Sequence, residues 1–203
     1  MLTRTMADRH NEAYRRAWSL LSGEIEVEGR QPSRHLTDEV KRKLEEASLL
    51  FCKVLEIKPD NWSAMWGLGK ISQRLGENEE ALGWFKKAAE IAPQNPDVLR
   101  EASISALRLG KAADGLRFAE ASVKLKPEDH GLYANWALAL LISGREEEAR
   151  EKAVIAAKGT PHDKISETVL AFIDSVIARQ APKPRNIGEV EQYIRNNFPR
   201  RRE

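Results

Sequence analysis

The sequence predicts an all-α fold of antiparallel helix pairs that repeats every 34 residues. Ala, Leu, Glu, Lys and Arg, which favour helices, dominate the composition, while the strand-favouring Val and Thr are sparse. Each period contains two segments with the apolar spacing of an amphipathic helix. Glycine and proline keep the same interval through the middle of the chain, at Gly76, Gly110 and Gly144 and at Pro59, Pro93, Pro127 and Pro161.

The period from residue 61 to residue 93 shows how one helix pair is encoded. Its first segment, NWSAMWGLGKISQRLG, ends at Gly76, where a helix C-cap needs the left-handed conformation that glycine adopts at little cost. Its second segment, NEEALGWFKKAAEIAP, carries an apolar stripe from Ala81 to Ile91 and ends at Pro93, which cannot continue a helical hydrogen-bond ladder. We therefore expect a helix, a tight turn, a second helix and a stop in every period.

Residues 62–95 resemble a tetratricopeptide repeat, a family of 34-residue helix pairs. The matching residues are Met65, Leu68, Gly69 and Ser72 in the first helix and Ala81, Phe85, Ala88 and Pro93 in the second. A weaker copy follows at 96–129 and a third copy at 130–163, so that residues 62–163 are predicted to hold three repeats. The resemblance implies a right-handed superhelical solenoid of antiparallel helix pairs.

The two ends of the chain are less regular. Residues 37–61 have second-helix character, and residues 1–36 are predicted to supply the first helix of this divergent repeat, followed by an inserted loop. Residues 164–180 form one amphipathic segment, which we expect to be a capping helix that covers the last repeat. Residues 181–203 are predicted to be a tail with a short helix at about 187–197.

Charge and apolar runs limit the classes of function. The 203 residues include 33 basic and 31 acidic side chains, a net charge of +2, which gives no whole-protein reason to expect nucleic acid or an anionic membrane as a partner. No signal peptide is visible, and the longest apolar run, residues 136–142, is far below the ~20 residues of a membrane-spanning helix. With a single cysteine, Cys52, these features favour a cytoplasmic protein without internal disulfides.

No residue pattern predicts catalysis, a metal site or a cofactor. WGLGKIS, residues 66–72, resembles a phosphate-binding loop, but Ala64 and Ile71 stand where the motif needs Gly and Ser or Thr. The four histidines are not spaced as metal ligands, and Cys52 is expected to be buried in a helix. We therefore predict a protein without enzymatic activity.

The resemblance also implies a binding surface, because the first helix of each tetratricopeptide repeat lines the concave face of the solenoid. The positions that match this groove are Trp66, Gly67, Lys70, Arg74, Arg100, Ile104, Arg108, Asn135 and Leu138. The first two repeats offer mainly cations and the third mainly apolar side chains, so the expected partner is a protein or peptide segment with an acidic and an apolar part. Trp66 is the candidate anchor, and the repeat register gives Gly67 no packing role.

Several alternatives stay open. The apolar ends or the convex face could build a homo-oligomer or hetero-oligomer. The basic end of the tail, FPRRRE, could bind RNA or another anion. The arginines could form a solvated face, and Leu138, Leu141 and Ile142 could pack on the capping helix or on the chain's own tail. The short tail helix could itself occupy the groove.

Overall fold

The computed structural model describes residues 5–25, 35–159 and 164–198. Within these ranges it contains ten helices and no strand, which confirms the predicted all-α class. The helices are α1 Met6–Leu21, α2 Asp38–Ile57, α3 Trp62–Leu75, α4 Asn78–Ile91, α5 Pro96–Arg108, α6 Ala112–Leu125, α7 His130–Ile142, α8 Glu146–Ala157, α9 Lys164–Ile177 and α10 Ile187–Asn197. Residues 26–34 of the predicted inserted loop, Pro161 and the arginines of FPRRRE lie outside the described residues.

The helix ends follow from the residue types found there. The side chains of Asn61 and Asp129 accept backbone N–H groups at the N-termini of α3 and α7. Gly76 closes α3 with a φ of +83°, in the left-handed conformation that the sequence predicts. Gly110 and Gly144 have positive φ in the corresponding turns after α5 and α7, so the same tight turn joins the helices of the pairs α3/α4, α5/α6 and α7/α8.

The chain divides into two compact units, which we call unit 1 (Met1–Pro93) and unit 2 (Gln94–Glu203). In unit 1, α1 pairs with α2 and α3 pairs with α4, while α2 packs against α3. The apolar stripes of these helices meet in one buried core, which includes Leu21, Leu44, Phe51, Val54 and Leu68.

Unit 2 contains two further helix pairs and two single helices. α5 pairs with α6 and α7 pairs with α8, and α9 packs against both α7 and α8. Phe172 and Ile173 of α9 are buried in one cluster with Leu140 and Leu141 of α7, so α9 covers the last helix pair. α10 then returns to contact α5.

Gly67 and Gly69 of α3 make room for two phenylalanine rings. A Cβ atom at Gly69 would lie 2.6 Å from the Phe85 ring of α4, which confirms that a neighbouring helix needs a small residue there. A Cβ atom at Gly67 would lie 2.5 Å from the Phe51 ring of α2. The expectation that packing does not explain Gly67 is therefore wrong. Phe51 of the preceding helix pair presses against it, and Gly67 is buried instead of facing a ligand.

Candidate protein-binding surfaces

Four aromatic rings form a continuous row on the first helices of unit 1. His10, Tyr14 and Trp18 follow one another at four-residue spacing on α1, and Trp66 of α3 continues the row. Successive ring centroids are 6.2 Å, 6.2 Å and 5.7 Å apart. All four side chains are half-buried, so each also presents surface to solvent. We call this row the aromatic ladder.

Hydrogen bonds fix the ladder to the start of α3. The Tyr14 and Ser63 hydroxyl oxygens are 2.8 Å apart. The Asn61 side-chain amide donates to Nε2 of His10 at 3.2 Å, while its carbonyl oxygen caps α3. Because each bond joins residues about fifty positions apart in sequence, the ladder depends on the packing of α1 beside α3.

The two indoles of the ladder have apolar support and unmet polar groups. Trp18 packs edge-on against the buried Phe51, with ring centroids 5.2 Å apart. Among the residues that the structure describes, the indole N–H groups of Trp18 and Trp66 meet no acceptor. A buried donor without an acceptor costs about 1–3 kcal/mol. The ladder is therefore held against the core, and the indole N–H groups of Trp18 and Trp66 lie buried beneath its exposed surface.

Cations surround the Trp66 end of the ladder but are already engaged. Nζ of Lys70 lies 5.6 Å from the centroid of the Trp66 ring, and Lys70 is only 4% exposed. Nε of Arg74 donates to the Glu24 carbonyl at 2.9 Å, and Nζ of Lys43 lies 3.1 Å from the buried Glu24 carboxylate. The prediction of Lys70 as an exposed groove residue is therefore wrong, because its side chain is buried beside the indole.

In unit 2, α10 covers the apolar part of the first-helix surface. Ile104 of α5 packs in one cluster with Ile187 of α10, and Leu138 of α7 packs in another with Val190 of α10. The cluster of Leu138 also contains Phe172 and Ile173 of α9, so Leu138 packs on the chain's own C-terminal helices, in agreement with the alternative of packing on the capping helix or the tail. The contacts of α10 also confirm that the short tail helix occupies first-helix surface, here within unit 2.

The polar residues predicted on the same surface also have partners in the chain. The two terminal nitrogens of Arg108 donate to the Glu191 carboxylate of α10 at 3.1 Å and 2.6 Å. Arg100 pairs with Asp97 at 3.1 Å, one turn earlier on α5. Asn135 is half-buried on α7. We call the surface that contacts α10, formed by Ile104, Arg108 and Leu138 with their neighbours, the α10 site.

A further concave surface lies between α1 and α2, as a groove of about 500 Å³. Its apolar lining comes from both helices, and Met6 at its edge is 60% exposed. The complete lining is Met6, Arg9, Glu12, Ala13, Arg16, Leu50, Lys53, Glu56 and Ile57. We call it the α1/α2 groove; a partner helix or a second copy would find an apolar floor and a mixed-charge rim there.

Cys52 is the free cysteine of the chain, and its position and pKa do not indicate a reactive site. Cys52 is exposed on α2, so its expected burial is wrong. Partial desolvation, followed by the charges of Glu56 and Glu80, raises the pKa of the Cys52 thiol, which makes it a poor nucleophile at neutral pH. In the described ranges, no three His, Cys, Asp or Glu side chains are grouped to hold a metal. No helix there is long and apolar enough to cross a bilayer.

Comparison with known proteins agrees with this architecture. Residues 41–96, from α2 to the start of α5, match the model of the tetratricopeptide repeat family. The chain therefore contains tetratricopeptide repeat sequence over residues 41–96. No curated protein matches its sequence.

Solved tetratricopeptide repeat structures cover almost the whole chain. MamA (residues 41 to the end) from Desulfovibrio magneticus RS-1 superposes with a TM-score of 0.70 at 16% identity, over 94% of each chain. YrrB, described as a tetratricopeptide repeat protein with an unusual peptide-binding site, gives 0.64 at 16% identity, over 97% of this chain and 88% of its own. The first repeat domain of Spaghetti (RPAP3), bound to the HSP90 peptide SRMEEVD, gives 0.54 at 20% identity, over 58% and 93%. These likenesses establish the solenoid type of fold.

The structure also shows two candidate binding surfaces that the sequence did not predict, the aromatic ladder and the α1/α2 groove. Tyr14 and Trp18 were not among the predicted groove residues, although their four-residue spacing with His10 on α1 is visible in the sequence. That spacing places three rings on one stripe of a helix and could have indicated the aromatic ladder. The α1/α2 groove has no comparable pattern, because it needs the packing of two helices separated by the inserted loop.

Proposed function

We propose that this protein is a non-enzymatic scaffold that binds a segment of another protein on the aromatic ladder of unit 1. The observation that carries the proposal is the half-buried pair of Trp18 and Trp66, whose ring centroids lie 5.7 Å apart in a row of four rings that each present surface to solvent. Partly exposed tryptophans are also frequent sources of binding energy at protein interfaces.

The sequence predicts a partner segment with an acidic part and an apolar part. The half-exposed rings of the ladder suit the apolar part. Near Trp66, Lys70 is only 4% exposed and Arg74 and Lys43 already contact Glu24, so the acidic part stays a prediction from the sequence. The peptide-binding site in the description of YrrB and the HSP90 peptide bound to Spaghetti provide a precedent for segment binding by this fold. The remaining predicted groove residues, Arg100 and Asn135, stay candidates for a contact on unit 2.

Selection from a phage-displayed random peptide library on the full-length chain tests the proposal. Peptides selected on the native chain should bind the Trp66→Ala variant about thirtyfold more weakly, the loss typical of an interface anchor. Trp66→Phe keeps a ring and removes the donor, so it should produce a smaller loss. The matched control is Trp84→Phe, because Trp84 of α4 is half-buried against the same core but lies outside the ladder, and its N–H already donates to Glu80.

Two results would count against binding at the ladder. One is a selected peptide whose affinity is the same for the native chain and for folded Trp66→Ala. The other is an equal loss of affinity in the Trp84→Phe control, which would show that the variants act through the fold of unit 1. Circular dichroism of each variant verifies that the helices are intact.

The α1/α2 groove supports a second candidate function, a structural subunit that self-associates. Exposed Met6 and the apolar lining of the groove would be buried by a second copy. Sedimentation velocity of the native chain should then depend on concentration, and Met6→Glu should remove the dependence. Ile165→Glu changes a similarly exposed residue of α9 and should leave it unchanged. A native chain that stays monomeric at every concentration contradicts this function.

RNA binding through the basic tail and a cytoplasmic location stay predictions from the sequence. The arginines of FPRRRE lie outside the described residues, and the surfaces described above do not add a basic patch to them. If the tail binds RNA, affinity should fall steeply with salt, and deletion of residues 199–203 should abolish that binding.

A further inference from the structure

α10 is a short helix with only one apolar stripe, and that stripe faces unit 2. It spans 11 residues from Ile187 to Asn197. Ile187 and Val190 are buried, and Tyr193 and Ile194 are half-buried against the same core as Val190. The spacing of three and four residues places all four side chains on one face of the helix.

Two specific contacts set the position of α10 on its surface. The Tyr193 ring packs on Phe172 of α9, with ring centroids 5.1 Å apart. Glu191 accepts two hydrogen bonds from Arg108, a residue 83 positions earlier in the chain. A bidentate contact between guanidinium and carboxylate fixes the orientation of the helix as well as its location. The surface therefore recognises an apolar stripe and one acidic side chain beside it.

The attachment of α10 is nevertheless weak for a structural element. Isolated helices shorter than about 12–15 residues are marginal in water, so α10 depends on this surface for its order. Its ion pair is open to solvent, with 31% of the Arg108 side chain and 45% of the Glu191 side chain exposed. Residues 181–186, which include two prolines, join it to α9 without regular structure. Much of its occupancy thus comes from being tethered to unit 2.

We propose that the α10 site is a binding site for an amphipathic helix of a partner protein, and that α10 is its resident, displaceable occupant. The partner helix would carry apolar side chains at the spacing of Ile187, Val190 and Tyr193, with a glutamate placed to meet Arg108. This site lies on unit 2, and the proposal does not rest on peptide binding by the aromatic ladder of unit 1. Release of α10 would make unit 2 competent to bind, so the tail helix would set the affinity for the partner.

A fluorescein-labelled peptide of residues 182–198 serves as the probe, with the full-length chain as its target. The native chain should bind it weakly, because α10 already covers the site. Val190→Asp in the chain loosens the resident helix and should raise the affinity for the labelled peptide about tenfold or more. Glu191→Lys in the chain breaks only a half-exposed ion pair and should raise it about two- to fivefold. Gln192→Lys, on the exposed side of α10, is the matched control and should have no effect.

Charge exchange then tests the role of Arg108. A labelled peptide with Glu191→Lys should bind the Val190→Asp chain about fivefold more weakly than the native peptide. Adding Arg108→Glu to that chain should reverse the preference between the two peptides. A scrambled peptide should bind none of the chains.

Three outcomes would overturn the proposal. The first is equal peptide affinity for the native, Glu191→Lys and Gln192→Lys chains. The second is a scrambled peptide that binds as tightly as the native peptide. The third is an unchanged preference between the two peptides after Arg108→Glu. Glu191→Lys buries no charge, so it carries the test if Val190→Asp fails to fold. Loss of ladder binding with Trp66→Ala would leave all of these measurements unchanged, which distinguishes this site from the proposed function.

Discussion

At the residue scale, α3 is shaped by the absence of two side chains. Phe51 lies against Gly67 and Phe85 lies against Gly69, so a ring from α2 and a ring from α4 approach the backbone of the same helix. Glycine inside a helix normally costs about 1 kcal/mol relative to alanine. Here the close approach of two buried rings offsets that cost, because neither ring could keep its position beside a methyl group.

Gly67→Ala and Gly69→Ala are each expected to destabilise the protein by about 1–3 kcal/mol, the usual range for an overpacked core. The added Cβ atom would lie 2.5 Å from the Phe51 ring in one variant and 2.6 Å from the Phe85 ring in the other. Urea unfolding followed by circular dichroism measures the change. Gly83→Ala in α4 is the control, because nothing lies within 4 Å of its Cβ position, and it should stabilise by up to about 1 kcal/mol.

A double-mutant cycle tests whether the ring is the cause. Phe51→Leu and Gly67→Ala should each destabilise alone, and the pair should cost less than the sum, with an interaction of about 0.5–3 kcal/mol. Additive effects would mean that Gly67 is constrained by something other than Phe51.

Cys52 should react slowly with thiol reagents although it is exposed. Desolvation and the charges of Glu56 and Glu80 raise its pKa above the ordinary value of about 8.5, so little thiolate is present at neutral pH. The rate of reaction with Ellman's reagent should still be rising at pH 9. Glu56→Gln should increase the rate at pH 8, and a rate equal to that of free cysteine in the native chain would contradict the raised pKa.

At the element scale, α10 has its own acid-sensitive anchor. The side chain and backbone N–H of Arg185 donate to the Glu189 carboxylate in the first turn, and these bonds hold the pKa of Glu189 below its ordinary value. A lowered folded-state pKa stabilises the folded form above the unfolded value of about 4.3, and the contribution disappears as the pH falls through the lowered pKa.

Hydrogen-exchange protection of α10, corrected for intrinsic rates, should therefore be constant from neutral pH to about pH 5 and should fall below about pH 4. In Glu189→Gln the contribution is missing at every pH, so protection should be lower at neutral pH and should change less on acidification. Equal acid responses of the two chains would assign the loss to other carboxylates.

The elements differ in how far the sequence determines them. The paired helices and their turns could be predicted because glycine at the C-cap and proline after the second helix act locally, through backbone conformation. The destination of α10 could not, since its apolar stripe indicates that one face is covered but not by what. The role of Gly67 was wrongly predicted for a related reason. The repeat register predicts which face of α3 Gly67 occupies, but it does not predict that the Phe51 ring of the preceding helix pair packs against that face.

At the scale of the whole molecule, the exposed ion pairs contribute little to stability. The 33 basic and 31 acidic residues nearly cancel. Many of the ion pairs join residues three or four positions apart on one helix surface, such as Lys124 with Glu120 and Arg145 with Glu148. Exposed pairs of this kind contribute about 0–1 kcal/mol each and are screened by salt.

We therefore expect Tm to change by less than about 4 °C between about 0.01 M and 1 M salt, a range over which the Debye length falls from about 30 Å to about 3 Å. Thermal unfolding followed by circular dichroism measures this. Binding of the α10 peptide, which includes one charge pair, should weaken over the same range. A large loss of Tm would show that unseen charge contacts stabilise the core.

The geometry of the aromatic ladder has an optical consequence. Trp18 and Trp66 have ring centroids 5.7 Å apart and planes tilted by 33°, close enough for their electronic transitions to couple. Such a pair gives an exciton couplet in far-ultraviolet circular dichroism, with a sign set by the twist between the rings. A molecule that binds to the ladder and rotates either indole would change this couplet. Circular dichroism could therefore detect binding at the ladder without a label.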